Sequence, residues 1–526
     1  MLKISLLLLF VAVTVFIGIY YRKRASNVQD FVLGGRNVGP WLSAFSYGAT
    51  YFSAVVFVGY AGQFGFRFGS AAIWIGLGNA FIGSLMAWFI LGRRTRVMTN
   101  HLKSATMPEF FGSRYGQNAL KIVASVIVFI FLIPYTASLY NGLSRLFSMA
   151  FEIKFEYCII AMGIITAIFV VAGGYFATAV NDFIQGSIML IGIVAVIAVV
   201  LKTNGGFIPA VDTLAAVSDP KIPRGTVPGV FTSLLGPDPI SLLGVLILTS
   251  LGTWGLPQMV ARFYSIKSEN MISKGAIVST FFALVIAGGC YFLGSFGRLY
   301  AHRPEIYNES GGVIYDAIIP TILSGFSEAM IGLVIVLVFA ASISTLSSLV
   351  MSSSSTLTLD FLKGNIIKKM SDRSQLFIIR SLIIVFIAIS SVIAIFQYKG
   401  GITFIAQLMG VSWGALAGSF LAPFLYGLYW KRATKASVWC CFIFSTGFIT
   451  VNLTASMLTA QKIIESNFLP VLLRSPINAG AFCMLAGLII VPLVSFITRS
   501  PDKALVDNCF SCYEQQVSVK VKDDLG

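Results

Sequence analysis

Apolar residues fill this chain in long blocks, with polar residues gathered between the blocks rather than alternating through them. A bilayer core of about 30 Å needs roughly 20 apolar residues per helix. By that ruler the blocks predict membrane helices near 2–21, 40–66, 70–92, 120–146, 155–175, 182–201, 240–262, 272–298, 327–355, 376–398, 402–430, 436–458 and 477–498. Thirteen crossings is an odd number, so the pattern places the two termini on opposite sides. Composition agrees: of 526 residues 57% are hydrophobic and only 11% charged, with a mean hydropathy of +0.86. Soluble domains carry about 25% charged residues, and this much apolar surface exceeds what a core of normal size buries. A soluble enzyme, a nucleic-acid-binding protein and a disordered scaffold are thereby excluded.

The net charge of +16 changes the picture only after topology is considered. The first block is followed by Arg22, Lys23 and Arg24 and preceded only by Lys3, the reverse of a cleaved signal peptide. It therefore reads as a true crossing with the N-terminus outside. Arg93, Arg94, Arg96, Lys103, Arg114 and Lys121 then fall inside, as do Lys363, Lys368, Lys369, Arg373, Lys431, Arg432 and Lys435. About 25 basic residues fall inside and about 12 outside, a positive-inside bias that needs no nucleic-acid partner. The seven cysteines form no disulfide framework, and Cys509-x-x-Cys512 has no second half for a metal site. The expected organisation is an extra helix and inner loop over 1–37, a five-helix block over 38–203, an outer loop over 204–238, a second five-helix block over 239–430, two helices over 431–499 and a cytoplasmic tail over 500–526.

Chemistry is expected where the blocks are interrupted. The second reads Ser46-Tyr47-Gly48-Ala49-Thr50-Tyr51-Phe52-Ser53, and the seventh Thr249-Ser250-Leu251-Gly252-Thr253-Trp254-Gly255-Leu256-Pro257. Proline removes a backbone donor and glycine loosens a helix, and backbone groups freed in hydrocarbon need another partner. Two interruptions, each at the start of a five-helix block and crossing in opposite senses, point to an inverted-repeat transporter. In the ninth block Ala341, Ser344, Thr345 and Ser348 share a helix face. Facing released carbonyls, they make an oxygen cage suited to a hard cation; close packing of small residues would use the same pattern.

Taken in order, these motifs resemble the sodium:solute symporter family. The resemblance rests on Arg36-Asn37-Val38-Gly39-Pro40-Trp41 leading into Ser53, and on Gly173-Gly174-Tyr175 with Asn181-Asp182-Phe183-Ile184-Gln185. It rests also on Pro257 through Ala261-Arg262-Phe263, on Ala340-Ala341 with Ser344-Thr345 and Ser347-Ser348, and on Trp413 with Trp430-Lys431-Arg432. It implies an all-α integral membrane protein of the LeuT type, a 5+5 inverted repeat with two broken helices. It also implies a sodium site built from the carbonyls of Ala49, Phe52 and Ala341 and the hydroxyls of Ser344 and Thr345. A second sodium in some members lies near the position of Asp182, with Ser347 and Ser348 beside it; Asp182 could equally cap the start of a helix. The proline and pantothenate carriers are the most similar branch, through Tyr135, Trp413 and the Pro257 stretch. The proline branch carries an aspartate where this chain has Tyr51 and large aromatics at Thr249 and Thr253.

Solute is expected near the midplane, lined by Ser46, Thr50, Tyr51, Thr249, Thr253 and Trp254, with Tyr135 and Gln407 at the sides. These liners include no Lys or Arg to pair a carboxylate directly, so a carboxylate would use half-helix amide ends. An amino acid such as proline or another small carboxylate is the favoured solute, with a sugar, a polyol or a pantothenate-like vitamin as the alternative. The similarity of Gln407 to a glutamine of sugar-carrying relatives keeps the sugar open. One sodium crossing about 100 mV releases about 2.3 kcal/mol, and a tenfold gradient adds about 1.4 kcal/mol. Together they would hold a neutral solute at roughly 500-fold accumulation. His101 and His302 lie in loops, so no buried proton relay is visible. No filter repeat indicates a channel, no H-E-x-x-H or buried dyad indicates an enzyme, and no signalling domain follows residue 500. The expectation is a sodium-coupled importer of a small organic solute in a bacterial inner membrane, with sodium its coupling ion and no cofactor, transition metal or nucleic acid required.

Overall fold

The computed structural model describes residues 2–151, 153–222, 224–308, 311–399, 405–460, 463–464 and 470–514. The expected tail therefore extends beyond the described residues after 514. Among the described residues the chain is helical, with isolated bridges such as Val38 to Ile266 and no strand. The helices used below are α1 (Leu2–Tyr20), α2 (Pro40–Tyr51), α3 (Ala61–Phe68), α4 (Asn118–Phe151), α5 (Phe155–Thr203), α6 (Pro239–Leu251), α7 (Pro257–Tyr264), α8 (Ile272–Ser295), α9 (Glu328–Thr356), α10 (Asp372–Lys399), α11 (Ile405–Tyr429), α12 (Lys435–Ala460), α13 (Pro476–Ile497) and α14 (Lys503–Ser511).

Eleven helices among the described residues are long and apolar enough to cross a membrane, two fewer than the sequence pattern predicts. The difference lies in two continuous runs, Val55–His101 and Phe155–Thr203, of 47 and 49 residues. At 1.5 Å per residue each is about 70 Å long, more than twice a bilayer core. Each also contains a glycine that leaves helical geometry, Gly69 at φ +63° and Gly174 at φ +59°. A side chain is excluded at both: a Cβ on Gly69 would meet the Phe231 carbonyl oxygen at 2.1 Å, and one on Gly174 would meet Phe31 at 2.9 Å.

The centre of the molecule is α9, buried almost throughout its length from Val334 onward. It packs against α5, α4 and α1 and touches α2, while α11 is enclosed by α13, α4 and α12. Outward faces carry Ile, Leu, Phe and Val left half or more exposed, such as Phe16, Ile191, Phe396 and Ile497, the surface a lipid solvent requires. The two interrupted helices α2–α3 and α6–α7 lie inside this shell, with α8 packed against both α2 and α3. That position converts each break in the backbone into an internal polar feature.

Candidate functional site

Pro40 at the first helical position starts α2, following Gly39 in extended geometry. Regular turns continue until Tyr51, and Phe52 then takes φ −107°, ψ +106°. Ser53 restarts the helix: its carbonyl accepts from the amides of Val56 (2.9 Å) and Phe57 (3.2 Å), and its hydroxyl accepts from the Val55 amide (3.2 Å). The residues that would close the next turn onto Ala49 and Thr50 have thus left the helix. Their carbonyls instead accept from the Thr345 hydroxyl of α9, at 3.3 and 3.1 Å, and that hydroxyl also lies 3.2 Å from the Ala341 carbonyl. Three main-chain oxygens and one hydroxyl converge on one buried point between α2 and α9.

Beside this point Asp182 is fully buried. One carboxylate oxygen accepts from the Ser344 hydroxyl at 2.5 Å and the other from the Ser46 hydroxyl. The Arg262 guanidinium of α7, 2% exposed, stands 3.5 Å from the second oxygen. The same Nη2 donates to Thr50 Oγ1 at 2.6 Å and to Ser348 Oγ, and those two hydroxyls are 3.0 Å apart. Arg262 also lies 5.0 Å over the Tyr175 ring, whose hydroxyl is 2.6 Å from Ser265 Oγ. Asp182 therefore links α2, α5, α7 and α9. An ion pair this deep is expensive to desolvate and more expensive to leave half-made, which makes its charge balance sensitive to any cation entering nearby.

The second break has a different character. After α6 the chain forms one tight turn over Gly252–Trp254, and Leu256 at φ −88°, ψ +121° precedes Pro257, which starts α7. A Cβ on Gly255 would lie 2.8 Å from the backbone of both Ala417 and Leu421, so α11 seals this break by direct contact. Thr253 Oγ1 donates to the Gly83 and Ser250 carbonyls at 3.0 Å each, and Trp254 Nε1 to the Ile82 carbonyl at 3.0 Å. Tyr51 crosses from the first break to the second, donating to the Thr249 carbonyl at 2.6 Å. Its ring stacks on Phe52 with centroids 4.2 Å apart and lies 6.3 Å from Trp413, which Tyr135 meets edge-on at 5.9 Å.

The expected residues thus divide into groups. Ala49, Ala341 and Thr345 converge at the oxygen point; Ser344 turns its hydroxyl to Asp182. The Ser347 hydroxyl donates to the Ser344 carbonyl at 2.8 Å. Ser46 and Thr50 face Asp182 and Arg262 rather than the aromatic group of Tyr51, Tyr135 and Trp413. Gln407 lines a separate cavity of about 300 Å³ with Gln63, Arg67, Ser241, Arg474 and Asn478. The helix-cap reading of Asp182 is corrected: it lies two turns past the Gly174 break, inside α5, and its oxygens accept side-chain hydroxyls. The liner set holds no Lys or Arg of its own, but one of its members, Thr50, accepts a hydrogen bond from the buried Arg262. In the sequence Arg262 stands out only as part of a motif, because the end of an apolar block is where interfacial charges ordinarily lie; in the structure it is buried. Gln185, one turn beyond Asp182, was also given no role, yet both of its amide atoms are buried without a hydrogen-bond partner.

The model of the sodium:solute symporter family matches residues 31–443. The chain is 28% identical to the osmoregulated proline transporter OpuE of Bacillus subtilis, covering 95% of this chain and 96% of that one. It is 29% identical to a sodium/proline symporter of Staphylococcus aureus, over 79% of each chain. Among solved structures it resembles a substrate-bound, outward-open Na+-coupled sialic acid symporter, with a TM-score of 0.73 at 19% identity over 96% of this chain and 99% of that one. It is also similar to the nucleobase-cation-symport-1 transporter Mhp1, with a TM-score of 0.51 at 13% identity over 90% and 97%. These likenesses establish the all-helical LeuT-type fold.

Proposed function

The chain belongs to the sodium:solute symporter family, and on that premise we propose which residues hold the ion and which solute it drives. It is a multi-pass membrane transporter, not an enzyme, and couples a small organic solute to sodium. The observation carrying the assignment is the Thr345 hydroxyl held among the carbonyls of Ala49, Thr50 and Ala341 beside the Ser344–Asp182 bond. In the proposed site sodium takes the carbonyls of Ala49, Phe52 and Ala341 with the hydroxyls of Ser344 and Thr345, all hard oxygens. Bound there, it ties the broken helix to α9, so ion and solute favour one conformation and each raises the affinity of the other.

Asp182, with Ser347 and Ser348 nearby, is the proposed second ion position. Its carboxylate already has one cation, Arg262, so a sodium ion there requires the guanidinium to move off the carboxylate while it keeps its bonds to Thr50 and Ser348. The exchange keeps a single positive charge on the buried carboxylate, which avoids the penalty of a bare one. The solute is proposed to be proline, the compound named for the relatives, held between the breaks by Tyr51, Tyr135, Thr249, Thr253 and Trp254, with Ser46 and Thr50 on the ion side. Proline is zwitterionic, and its carboxylate would use the helix ends freed at the breaks. Gln407, which kept a sugar open, lines a different cavity. The proposed working location is the plasma membrane, with the N-terminus outside, the C-terminus cytoplasmic and the blocks 38–203 and 239–430 as the moving repeats.

Purified protein in liposomes, loaded with potassium and given labelled proline outside, tests the reading. Uptake is expected to saturate and to require external sodium, with choline or potassium inactive. Equal uptake in choline would overturn the coupling; sodium-dependent uptake of another solute alone would overturn the choice of proline.

A further inference from the structure

Away from the ion site, a groove of about 490 Å³ opens on the lipid-facing side between α1, the first half of α5 and α10. Its walls are Ile19, Ala167, Ile168, Val171, Ala172 and Ile384, and its lining also includes two arginines, Arg22 and Arg380. Ile19, Ile168 and Ile384 are 57%, 47% and 53% exposed, so the walls are not covered by protein. Arg22 follows the end of α1 and is exposed; Arg380 is half-buried two turns into α10. Arg380 donates from Nη2 to the Ala25 carbonyl at 3.3 Å and sits 5.3 Å from the Phe31 ring, while its Nε is buried with no partner. Among the described residues no ion pair joins either arginine to a carboxylate.

Two guanidiniums lining one apolar groove repel each other unless an anion lies between them, and a half-buried Nε needs an acceptor. The groove itself calls for hydrocarbon. One molecule supplies both. We propose that this groove binds an anionic phospholipid, its phosphate bridging Arg22 and Arg380 and an acyl chain running along Ile19, Ile168 and Ile384. Basic pockets between membrane helices at the charged face of a bilayer bind such headgroups by this combination of charge and chain. The site adjoins the Gly174 break in α5, and Arg380 fixes the segment from Ala25 to Phe31 that packs on that glycine. An occupied groove therefore braces the elbow of α5 against α1 and α10, separately from any transport step.

The test needs no transport assay. Full-length protein is exchanged into nanodiscs of phosphatidylcholine with or without phosphatidylglycerol, and retained lipid is counted by native mass spectrometry alongside the melting temperature. Wild type is expected to retain phosphatidylglycerol in preference to phosphatidylcholine and to melt higher in its presence. Arg22→Gln, which alters only an exposed side chain, lowers that preference by about fivefold, and Arg22→Gln/Arg380→Gln by about 25-fold. Ala172→Phe, which fills the groove without changing charge, lowers retention as well. Unchanged preference in Arg22→Gln overturns the proposal even if the Arg380 variant does not fold. Equal stabilisation by phosphatidylcholine, or by inorganic phosphate alone, overturns the lipid assignment.

Discussion

The two broken helices both start at a proline and break among glycine and hydroxyl residues, and they end as opposites. At the first, the freed carbonyls of Ala49 and Thr50 meet a hydroxyl of α9, and a buried Asp182–Arg262 pair with four hydroxyl partners stands beside them. At the second, Gly255 lets α11 pack directly on the backbone, and the polar side chains Thr253 and Trp254 bond to fixed carbonyls near Gly83. The first, the proposed ion site, has its freed carbonyls met by a side-chain hydroxyl rather than by packed backbone. The second is a mechanical joint on its Gly255 side, closed by packed backbone, with the proposed solute liners Thr253 and Trp254 beside it. A break in a membrane helix therefore marks a place where backbone polarity must be resolved, and the neighbours decide whether a ligand or a packed helix resolves it.

The largest effect is expected at the charged side of the comparison. Asp182→Ala leaves Arg262 buried with only neutral partners, a loss of about 3–5 kcal/mol, and transport should fall below detection. Asp182→Ala/Arg262→Met removes both charges and should recover folded protein in the membrane without recovering uptake, read from surface yield and flux together. Recovery of full uptake would show that the pair serves only packing. At the mechanical joint, Gly255→Ala forces α11 outward and should cost about 1–3 kcal/mol, seen as a lower melting temperature in sodium and in potassium alike. A shift seen only in sodium would mean that the second break also handles the ion.

Smaller effects sharpen the division further. Thr345→Ala removes the hydroxyl shared by three carbonyls, worth about 1.4 kcal/mol, and should raise the sodium concentration for half-maximal uptake about tenfold. Thr345→Ser should restore it, because only the hydroxyl is needed. Tyr51→Phe loses the bond to the Thr249 carbonyl that spans the two breaks. A cost of about 0.5–1.5 kcal/mol is expected in the KM for solute, with the sodium requirement little altered; the reverse pattern would place Tyr51 on the ion side.

Much of this arrangement was legible in the chain because membrane helices advertise their faults. Gly255 and Pro257 mark one break, Pro40 through Ser53 the other, and the hydroxyl face of α9 follows from a spacing of three and four residues. What escaped was pairing across distance. Asp182 and Arg262 lie in different helices, α5 and α7, and an arginine at the end of an apolar block is what positive-inside topology produces anyway. The division of the expected liners between the Asp182–Arg262 pair and the aromatic group was equally hidden, since Thr50 and Tyr51 are neighbours whose side chains point to different helices. The helix count differs from the block count for a local reason: at Gly69 and Gly174 the chain bends without a long loop, so one continuous helical run holds two of the expected blocks.

Equilibrium binding of radioactive sodium to the purified protein addresses the central claim most directly, since it needs neither solute nor membrane potential. Wild type is expected to bind sodium saturably with excess potassium present, and Thr345→Ala to require about tenfold more sodium for the same occupancy. Sodium binding that is unchanged in both Thr345→Ala and Ser344→Ala would contradict the account.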